Sequence, residues 1–305
     1  MWETQTGHFT CYETGQSTYY QQQVTYSVTT AGVRYTMLLF LPDGLPFGLR
    51  VVEYEFSILM ICLLLVTGLV SGFINTLAGG GSMLTLPALM MLGMPADVAN
   101  ATNRVGVLMQ SVAGAKGFSD QGKLDKPTIL PVLVPTVVGA LAGSLLASFL
   151  PVWVLKPVLL GSMITMALVM VIRPQAVIPV DGTEPYKLAD RPVAGLGLFL
   201  AGVYGGFVQA GVGFILIAAL AGGLRYDLIR TNALKTVCTG VFSGVALVVF
   251  AMRGQVWWIP GLILAVGSIA GAMASVRFAI NVSQNTLKWL LFVMVIATCA
   301  GAVFL

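Results

Sequence analysis

One short run of small and polar residues lies inside an otherwise apolar stretch of the sequence. It reads Asn75-Thr-Leu-Ala-Gly79-Gly80-Gly81-Ser82. Each glycine weakens a helix by about 1 kcal/mol relative to alanine, so the run predicts a helix break. Backbone N–H groups freed at the break, and the positive end of a helix that restarts at Ser82, favour binding of an anion. The alternative is that the glycines only allow two helices to pack closely.

A second run of this kind, Gln209-Ala-Gly211-Val-Gly213, occurs later in the chain. It places the amide of Gln209 where the first run has Asn75. The paired occurrence favours an anion-binding role for the runs over close helix packing alone. No Gly-Lys-Ser/Thr follows either run, so neither is a nucleotide-binding Walker loop.

Each run is followed by an asparagine and a cation, Asn103-Arg104 in one case and Asn232-Ala-Leu-Lys235 in the other. An ionisable group within a membrane span is costly and indicates function. Arg104 and Lys235 are therefore predicted to complement the charge of an anion. The alternative is that both lie near helix ends and extend to the membrane interface.

Asp97 and Asp227 precede these two helices at similar distances. As first-turn caps they need no further function; otherwise they are the best candidates for proton or sodium coupling. The sequence contains no metal-ligand spacing, no Ser/His/Asp set and no cofactor motif. It therefore predicts neither an enzyme nor a bound metal or cofactor.

The composition predicts a membrane protein. Of 305 residues, 57% are hydrophobic and 9% are charged, against about 25% charged in a typical soluble domain. Apolar stretches of about 20 residues, the length that a bilayer core requires, recur along the chain. They predict spanning helices at about 57–78, 101–118, 128–149, 153–172, 193–212, 231–251, 257–277 and 285–305.

Two shorter apolar pieces, at about 81–94 and 214–224, follow the glycine runs. At 1.5 Å per residue neither easily crosses a bilayer. Both are predicted to be re-entrant pieces or the second arms of broken helices. The predicted fold is an all-α polytopic membrane protein with about 8–10 transmembrane segments.

Polar, glycine and proline positions recur in the same order in two parts of the chain, which predicts two homologous halves. The matched pairs are Asn75 and Gln209, Gly79 and Gly213, Asn103 and Asn232, Pro131 and Pro260, and Gly139-x-x-x-Gly143 and Gly267-x-x-x-Gly271. Each half would have about four spanning helices and one short broken segment, an arrangement typical of secondary transporters. Four crossings per half would make the repeats parallel and five would make them inverted; the positions of basic residues slightly favour inversion.

The predicted organisation is a polar segment at 1–50, a first repeat at 51–172, a polar loop at 173–191 and a second repeat at 192–305. The first segment is rich in Thr, Tyr, Gln and Ser and lacks the pattern of a signal peptide. It is either a small extramembrane appendage or sequence upstream of a true start at Met37. The net charge of +4 is spread along the loops and indicates no nucleic-acid surface.

Longer motifs resemble those of the TauE/SafE sulfite exporter family. The first-repeat signature is matched by Asn75-Thr-Leu-Ala-Gly-Gly-Gly-Ser82, Leu86-Pro87-Ala88-Leu89, Gly93 and Ala99-Asn-Ala-Thr-Asn103. Gly206-Phe-Val-Gln-Ala-Gly-Val-Gly213, with Thr231-Asn232 and Lys235, is similar to the second-repeat signature. The resemblance covers about residues 55–305. Arg104 departs from it, because many relatives are expected to have lysine there.

The resemblance implies a multi-pass permease of the bacterial cytoplasmic (inner) membrane for small sulfur-containing anions such as sulfite, thiosulfate or sulfoacetate. It also implies that the two signature motifs meet near the centre of the protein. The predicted substrate-binding residues are Asn75, Gly79, Gly80, Gly81, Ser82, Asn103, Arg104, Gln209, Gly211, Gly213, Asn232 and Lys235. Rocking of one half against the other would give alternating access. The alternatives are an anion channel and an accessory membrane subunit without transport. The oligomeric state is open, with a homodimer as one option.

Overall fold

A computed structural model describes residues 9–14, 17–22, 36–38, 51–53, 58–172 and 185–282. Internal contacts divide the chain into two units. The first comprises Met1–Leu63 with Met252–Gly254, and the second comprises Leu64–Ala251 with Gln255–Leu305.

The first unit contains four short strands in two antiparallel hairpins. Strand β1 (Phe9–Thr14) pairs with β2 (Ser17–Gln22), and β3 (Thr36–Leu38) pairs with β4 (Val51–Glu53). Threonine and tyrosine, which are frequent here, favour strands. The strands were not predicted from the sequence, so the all-α description holds only for the described residues from Ile58 onward.

The remaining described chain is helical. The helices are α1 (Ile58–Leu77), α2 (Ser82–Met91), α3 (Ala96–Asp120), α4 (Lys126–Phe149), α5 (Val152–Ile172), α6 (Pro192–Phe207), α7 (Val212–Ile217), α8 (Leu228–Met252) and α9 (Trp258–Asn281). A 3₁₀ turn at Leu188–Asp190 precedes α6, and a π-helical segment at Ala218–Gly223 continues α7.

Four of the described helices, α1, α4, α8 and α9, are long and apolar enough to cross a membrane. Shorter apolar helices occur at Ser82–Met91, Val152–Ser162, Pro192–Phe207 and Val212–Gly223. Helix α3 has the length of a span but not the hydropathy, because it carries a series of buried polar residues. The span predicted at 285–305 and part of the predicted loop at 173–191 lie outside the described residues.

One predicted boundary is wrong. The span expected at 193–212 ends as helix α6 at Phe207, because the backbone leaves the helical region directly afterwards. Gln209 and Gly211 have φ angles of 69° and 76°. The second break therefore comprises residues 208–211 and includes Gly211.

Glycines bring two pairs of helices into backbone contact. A Cβ atom at Gly72 on α1 would lie 2.2 Å from the carbonyl oxygen of Ser268 on α9. A Cβ atom at Gly139 on α4 would lie 2.2 Å from the carbonyl oxygen of Phe199 on α6. Small residues spaced four apart allow such close packing in membrane proteins. These contacts fix the helices whose ends form the site described next.

Candidate functional site

Both glycine runs interrupt helices inside the protein. Helix α1 ends at Leu77 and α2 begins at Ser82, while α6 ends at Phe207 and α7 begins at Val212. The connecting residues 78–81 and 208–211 are all buried. Irregular backbone at membrane depth is tolerated only where protein or a cavity surrounds it. The breaks therefore have the setting that the sequence predicts for a site.

The two breaks come together through a contact between Gly79, in the first break, and Gly213, the second residue of helix α7. A Cβ atom on Gly79 would lie 2.3 Å from the Cα atom of Gly213, and one on Gly213 would lie 2.2 Å from the Cα atom of Gly79. Gly79 also has a φ angle of +90°, which side chains rarely adopt. Two residues from distant parts of the chain thus require glycine because their backbones meet.

The first break presents three unpaired backbone donors. The N–H groups of Gly80, Gly81 and Ser82 have no acceptor among the described residues, although the next N–H, of Met83, donates to the Gly80 carbonyl. Asn75 lies beside them, because a Cβ on Gly81 would be 2.6 Å from its Cβ atom. Free N–H groups at the start of a helix form a binding position for an anion.

Asn103 holds helix α3 against the start of α2. Its amide nitrogen donates to Ser82 Oγ at 3.1 Å, and its amide oxygen accepts from Thr85 Oγ1 at 2.6 Å. Both bonds are buried. The Ser82 hydroxyl is used as an acceptor here, so its own proton stays available for a ligand. Thr85 was not predicted as part of the site, and its spacing of three from Ser82 on one helix face is the signal that could have indicated it.

Arg104 binds the end of helix α6. Its guanidinium donates to the backbone carbonyls of Gly205 and Gly206, the latter at 3.0 Å, and to Asn100 Oδ1 at 3.3 Å. Asn100 in turn donates to the Phe207 carbonyl at 2.8 Å. Arginine and asparagine together satisfy the last three carbonyls of α6. Asn100 was missed in the sequence, although it precedes Arg104 by one helical turn.

Lys235 binds the end of helix α1 in the same manner. Its ammonium group donates to the backbone carbonyls of Asn75 at 3.1 Å and Thr76 at 2.9 Å, and to Asn232 Oδ1 at 2.9 Å. The amide nitrogen of Asn232 is buried without a partner among the described residues. A cation at a helix C-terminus offsets the partial negative charge of the exposed carbonyls.

Neither cation extends to the surface of the protein. The side chains of Arg104 and Lys235 are fully enclosed by protein, with 0% and 1% of their surface exposed. This burial argues against the alternative, in which both side chains extend to the membrane interface. Each cation compensates the carbonyl end of a helix beside a break.

Gln209 forms the bend of the second break. It is not a glycine, yet its φ angle is 69°. Its amide nitrogen donates to Ser243 Oγ at 3.0 Å, and its amide oxygen is buried without a partner among the described residues. A strained backbone and an unsatisfied amide are costly and often mark functional positions. Gly211, at φ +76°, then starts helix α7.

The two aspartates have different surroundings. Asp227 caps helix α8, because its carboxylate accepts from the backbone N–H of Arg230 at 2.9 Å and pairs with the Arg230 guanidinium at 3.4 Å. Asp97 lies in the first turn of α3, where one oxygen accepts from Gln255 at 3.4 Å and the other is buried without a described partner. Asp227 thus has the structural role of a cap, while Asp97 has an unused acceptor.

The described residues contain no group of three or more His, Cys, Asp and Glu side chains that could hold a metal ion. Several apolar helices, two of them broken at buried glycines that meet, make up the architecture of a multi-pass membrane transporter. A family model described as "Sulfite exporter TauE/SafE" matches residues 64–302. The chain belongs to this family.

Named relatives agree with the family. The chain is 27% identical over 240 residues to "Probable membrane transporter protein ORF9" of Sinorhizobium sp, covering 78% of this chain and 90% of the relative. It is 24% identical over 253 residues to a "Probable membrane transporter protein" of Haemophilus influenzae, covering 82% and 97%. It is 25% identical over 232 residues to "Probable membrane transporter protein YfcA" of Escherichia coli K12, covering 76% and 85%. The chain is thus a membrane transporter and not an enzyme.

Proposed function

We propose that this transporter moves a small sulfur-containing anion across the bacterial cytoplasmic membrane by alternating access. The anion would bind where the two helix breaks meet. The observation that carries this proposal is the set of unpaired N–H groups of Gly80, Gly81 and Ser82 at the start of α2. Buried backbone donors without acceptors are rare in folded proteins, and a bound anion would satisfy all three.

Side-chain donors complete the proposed site. The Ser82 hydroxyl and the Asn75 amide would add hydrogen bonds to the anion's oxygens. Rotation of the Gln209 amide by half a turn would let Ser243 donate to its oxygen and would free the NH2 group for the anion. Arg104 and Lys235, both buried, would lower the cost of bringing negative charge to this depth.

A sulfur oxyanion fits this set of donors. Sulfite, thiosulfate and organosulfonates such as sulfoacetate carry several oxygens around one sulfur atom. Such a group can accept from converging N–H and O–H donors at the same time. The family's description as a sulfite exporter supports the same class of substrate. A carboxylate has only two oxygens and would leave more of the donors unpaired.

Matching contacts support the two-repeat organisation. Backbone contacts between α1 and α9 recur at corresponding positions between α6 and α4. A Cβ atom on Gly68 would lie 2.4 Å from the Leu264 carbonyl oxygen, and one on the matching Gly202 would lie 2.2 Å from the Thr136 carbonyl oxygen. One turn later, a Cβ atom on Gly72 would lie 2.2 Å from the Ser268 carbonyl oxygen, and one on the matching Gly206 would lie 2.2 Å from the Ala140 carbonyl oxygen. The halves would thus be interleaved, because each contributes one helix to each close pair.

The direction of α3 and α8 supports an inverted repeat. Gly114 on α3 lies beside Thr236 on α8, and Ser111 lies beside Gly240, so the two helices run antiparallel. Ser111 and Gly240 are equivalent positions when the two halves are aligned at Asn103 and Asn232, because each lies eight residues after its asparagine. Two equivalent helices that meet antiparallel at equivalent residues are related by a two-fold axis across them. Such an axis lies in the membrane plane.

The proposal is tested by flux of radiolabelled sulfite, thiosulfate and sulfoacetate into liposomes that contain the purified protein. A transporter would show saturable uptake and accelerated exchange when unlabelled substrate is present on the opposite side. Uptake proportional to concentration without exchange would indicate an anion channel instead. Absence of flux for every sulfur anion, with the protein correctly folded, would favour the accessory-subunit alternative.

A further inference from the structure

A cavity of about 480 Å³ lies where helices α3 and α9 approach their C-terminal ends. Its polar and charged lining includes Lys116, Asp120 and Arg277, and its lining includes no residue of either helix break. The cavity is thus separate from the proposed anion site, and its occupant can be considered independently of the transported substrate.

The two cations at this cavity are unpaired. Lys116 and Arg277 are both exposed, and neither forms an ion pair with a carboxylate in the part of the chain that the structure describes. Asp120 lines the same cavity without approaching either cation to within the distance of an ion pair. Two neighbouring positive charges without a counter-ion favour a negatively charged ligand.

Helices α3 and α9 run in the same direction, so the cations lie at the same end of both. A Cβ atom at Gly106 would lie 3.1 Å from the Leu264 side chain, and one at Gly117 would lie 3.1 Å from the Val276 side chain. Residue numbers therefore rise together along the contact. Lys116 and Arg277 are the sequence neighbours of Gly117 and Val276, the second of these contacts, and both border one cavity.

On both helices, exposed apolar side chains lie one or two turns before the cation, towards the helix N-terminus. Val112 and Met109, one and two turns before Lys116 on α3, are 58% and 40% exposed. Met273 lies one turn before Arg277 on α9 and is 48% exposed. In a multi-pass membrane protein such exposed apolar side chains are suited to contact with lipid. Met273 also lines the cavity, and Val112 adjoins its lining residue Ala113 in sequence, so the two cations lie beside exposed apolar surface on both helices.

We propose that this cavity binds the headgroup of an anionic phospholipid. The phosphate would lie between Lys116 and Arg277, and the acyl chains would extend along the exposed apolar side chains of α3 and α9. Asp120 would accept a hydrogen bond from a headgroup hydroxyl, such as that of glycerol. Basic pockets between transmembrane helices bind anionic headgroups in this way. A soluble phosphate would use the cations but not the apolar side chains, so the lipid uses more of the surface.

Native mass spectrometry of the detergent-purified full chain tests this proposal. Dioleoyl phosphatidylglycerol and dioleoyl phosphatidylcholine are titrated separately, and the ratio of the two dissociation constants is measured. The wild type should prefer phosphatidylglycerol. In the K116Q/R277Q variant the preference should fall by about 25-fold, since each surface cation contributes about a fivefold effect. The K123Q/K126Q variant removes the same net charge from positions that do not line the cavity and should keep the preference.

A second variant separates the cavity from the general charge of this surface. Ala113→Trp fills the cavity and leaves both cations in place, so it should also lose the preference. The proposal is overturned if the wild type does not discriminate between the lipids, if K123Q/K126Q loses as much preference as K116Q/R277Q, or if Ala113→Trp retains it. Displacement of phosphatidylglycerol by an equal concentration of glycerol 3-phosphate would assign the cavity to a soluble phosphate and would overturn the proposal of a lipid ligand.

Discussion

The ammonium group of Lys235 lies 3.1 Å from the backbone carbonyl oxygen of Asn75, 160 positions earlier in the chain. Through this bond a helix that follows the second break holds the helix that precedes the first. Arg104 makes the reciprocal contact with the Gly206 carbonyl at 3.0 Å. Each break is thus held by a cation that follows the other break, and both cations are therefore required for the shape of the site.

Replacing Lys235 should destabilise the protein. Lys235→Met retains the length of the side chain but leaves two helix-end carbonyls and Asn232 without their donor, at a cost of about 2–4 kcal/mol. The measurement is the unfolding midpoint of purified protein in detergent. Lys126→Met, at an exposed cation, should change stability by less than about 0.5 kcal/mol. Equal midpoints for the two variants would contradict the capping role.

Substitution at the contact between the breaks should be severe. Gly79→Ala places a methyl group 2.3 Å from the Gly213 Cα atom at a φ angle of +90°. Overpacking and backbone strain together should cost about 3 kcal/mol or more. Gly161→Ala is the control, because a Cβ there has no atom within 4 Å, and the variant should be at least as stable as the wild type, since alanine favours a helix. Well-folded Gly79→Ala protein would show that the breaks do not touch.

The amide side chains beside the breaks should contribute to anion affinity. Asn75→Ala and Gln209→Ala should each weaken anion binding by about 10- to 100-fold, the effect of losing one hydrogen bond to a charged group, with expression and folding intact. Gln209→Gly is a useful companion, since glycine removes the amide without strain at positive φ. Asn281→Ala, at an exposed amide on α9, should bind normally. If Asn75→Ala and Gln209→Ala both bind as the wild type does, the site is elsewhere.

The two aspartates should differ in coupling. Asp227→Asn retains a side chain that caps a helix equally well, so uptake should keep its dependence on proton or sodium gradients. Asp97→Asn removes the negative charge of a carboxylate that has one buried oxygen without a described partner, so this variant should weaken the dependence on the gradient. Gradient-driven uptake into proteoliposomes measures both variants. An unchanged response in Asp97→Asn would exclude this carboxylate as the coupling group.

Much of the fold could be predicted because glycine runs and apolar lengths are local signals. The breaks, the short helices after them and most of the helix boundaries follow from helix propensity and bilayer thickness. The contact between Gly79 and Gly213 could be expected only through the family resemblance. Nothing in the apolar pattern alone specifies which helices meet.

The role of the cations could not be predicted from spacing. Arg104 follows Asn103 directly, yet its partner is Asn100 one turn earlier, and Asn103 binds Ser82 and Thr85 instead. Adjacent residues on a helix point in different directions, so sequence neighbours are seldom partners. The acceptors of both cations are backbone carbonyls, which every residue carries and which no sequence motif marks.

Binding of a sulfur oxyanion at the first break is the central claim, and a thermal-shift screen tests it most directly. Purified wild type, Asn75→Ala and Asn281→Ala are each heated with sulfite, sulfate, thiosulfate, sulfoacetate, taurine and simple carboxylates. An anion at 100 times its dissociation constant adds about 2.7 kcal/mol to stability. The expected result is selective stabilisation of the wild type and Asn281→Ala by one sulfur oxyanion, with the shift lost in Asn75→Ala. No shift with any sulfur anion, or an equal shift in Asn75→Ala, would contradict the proposed site.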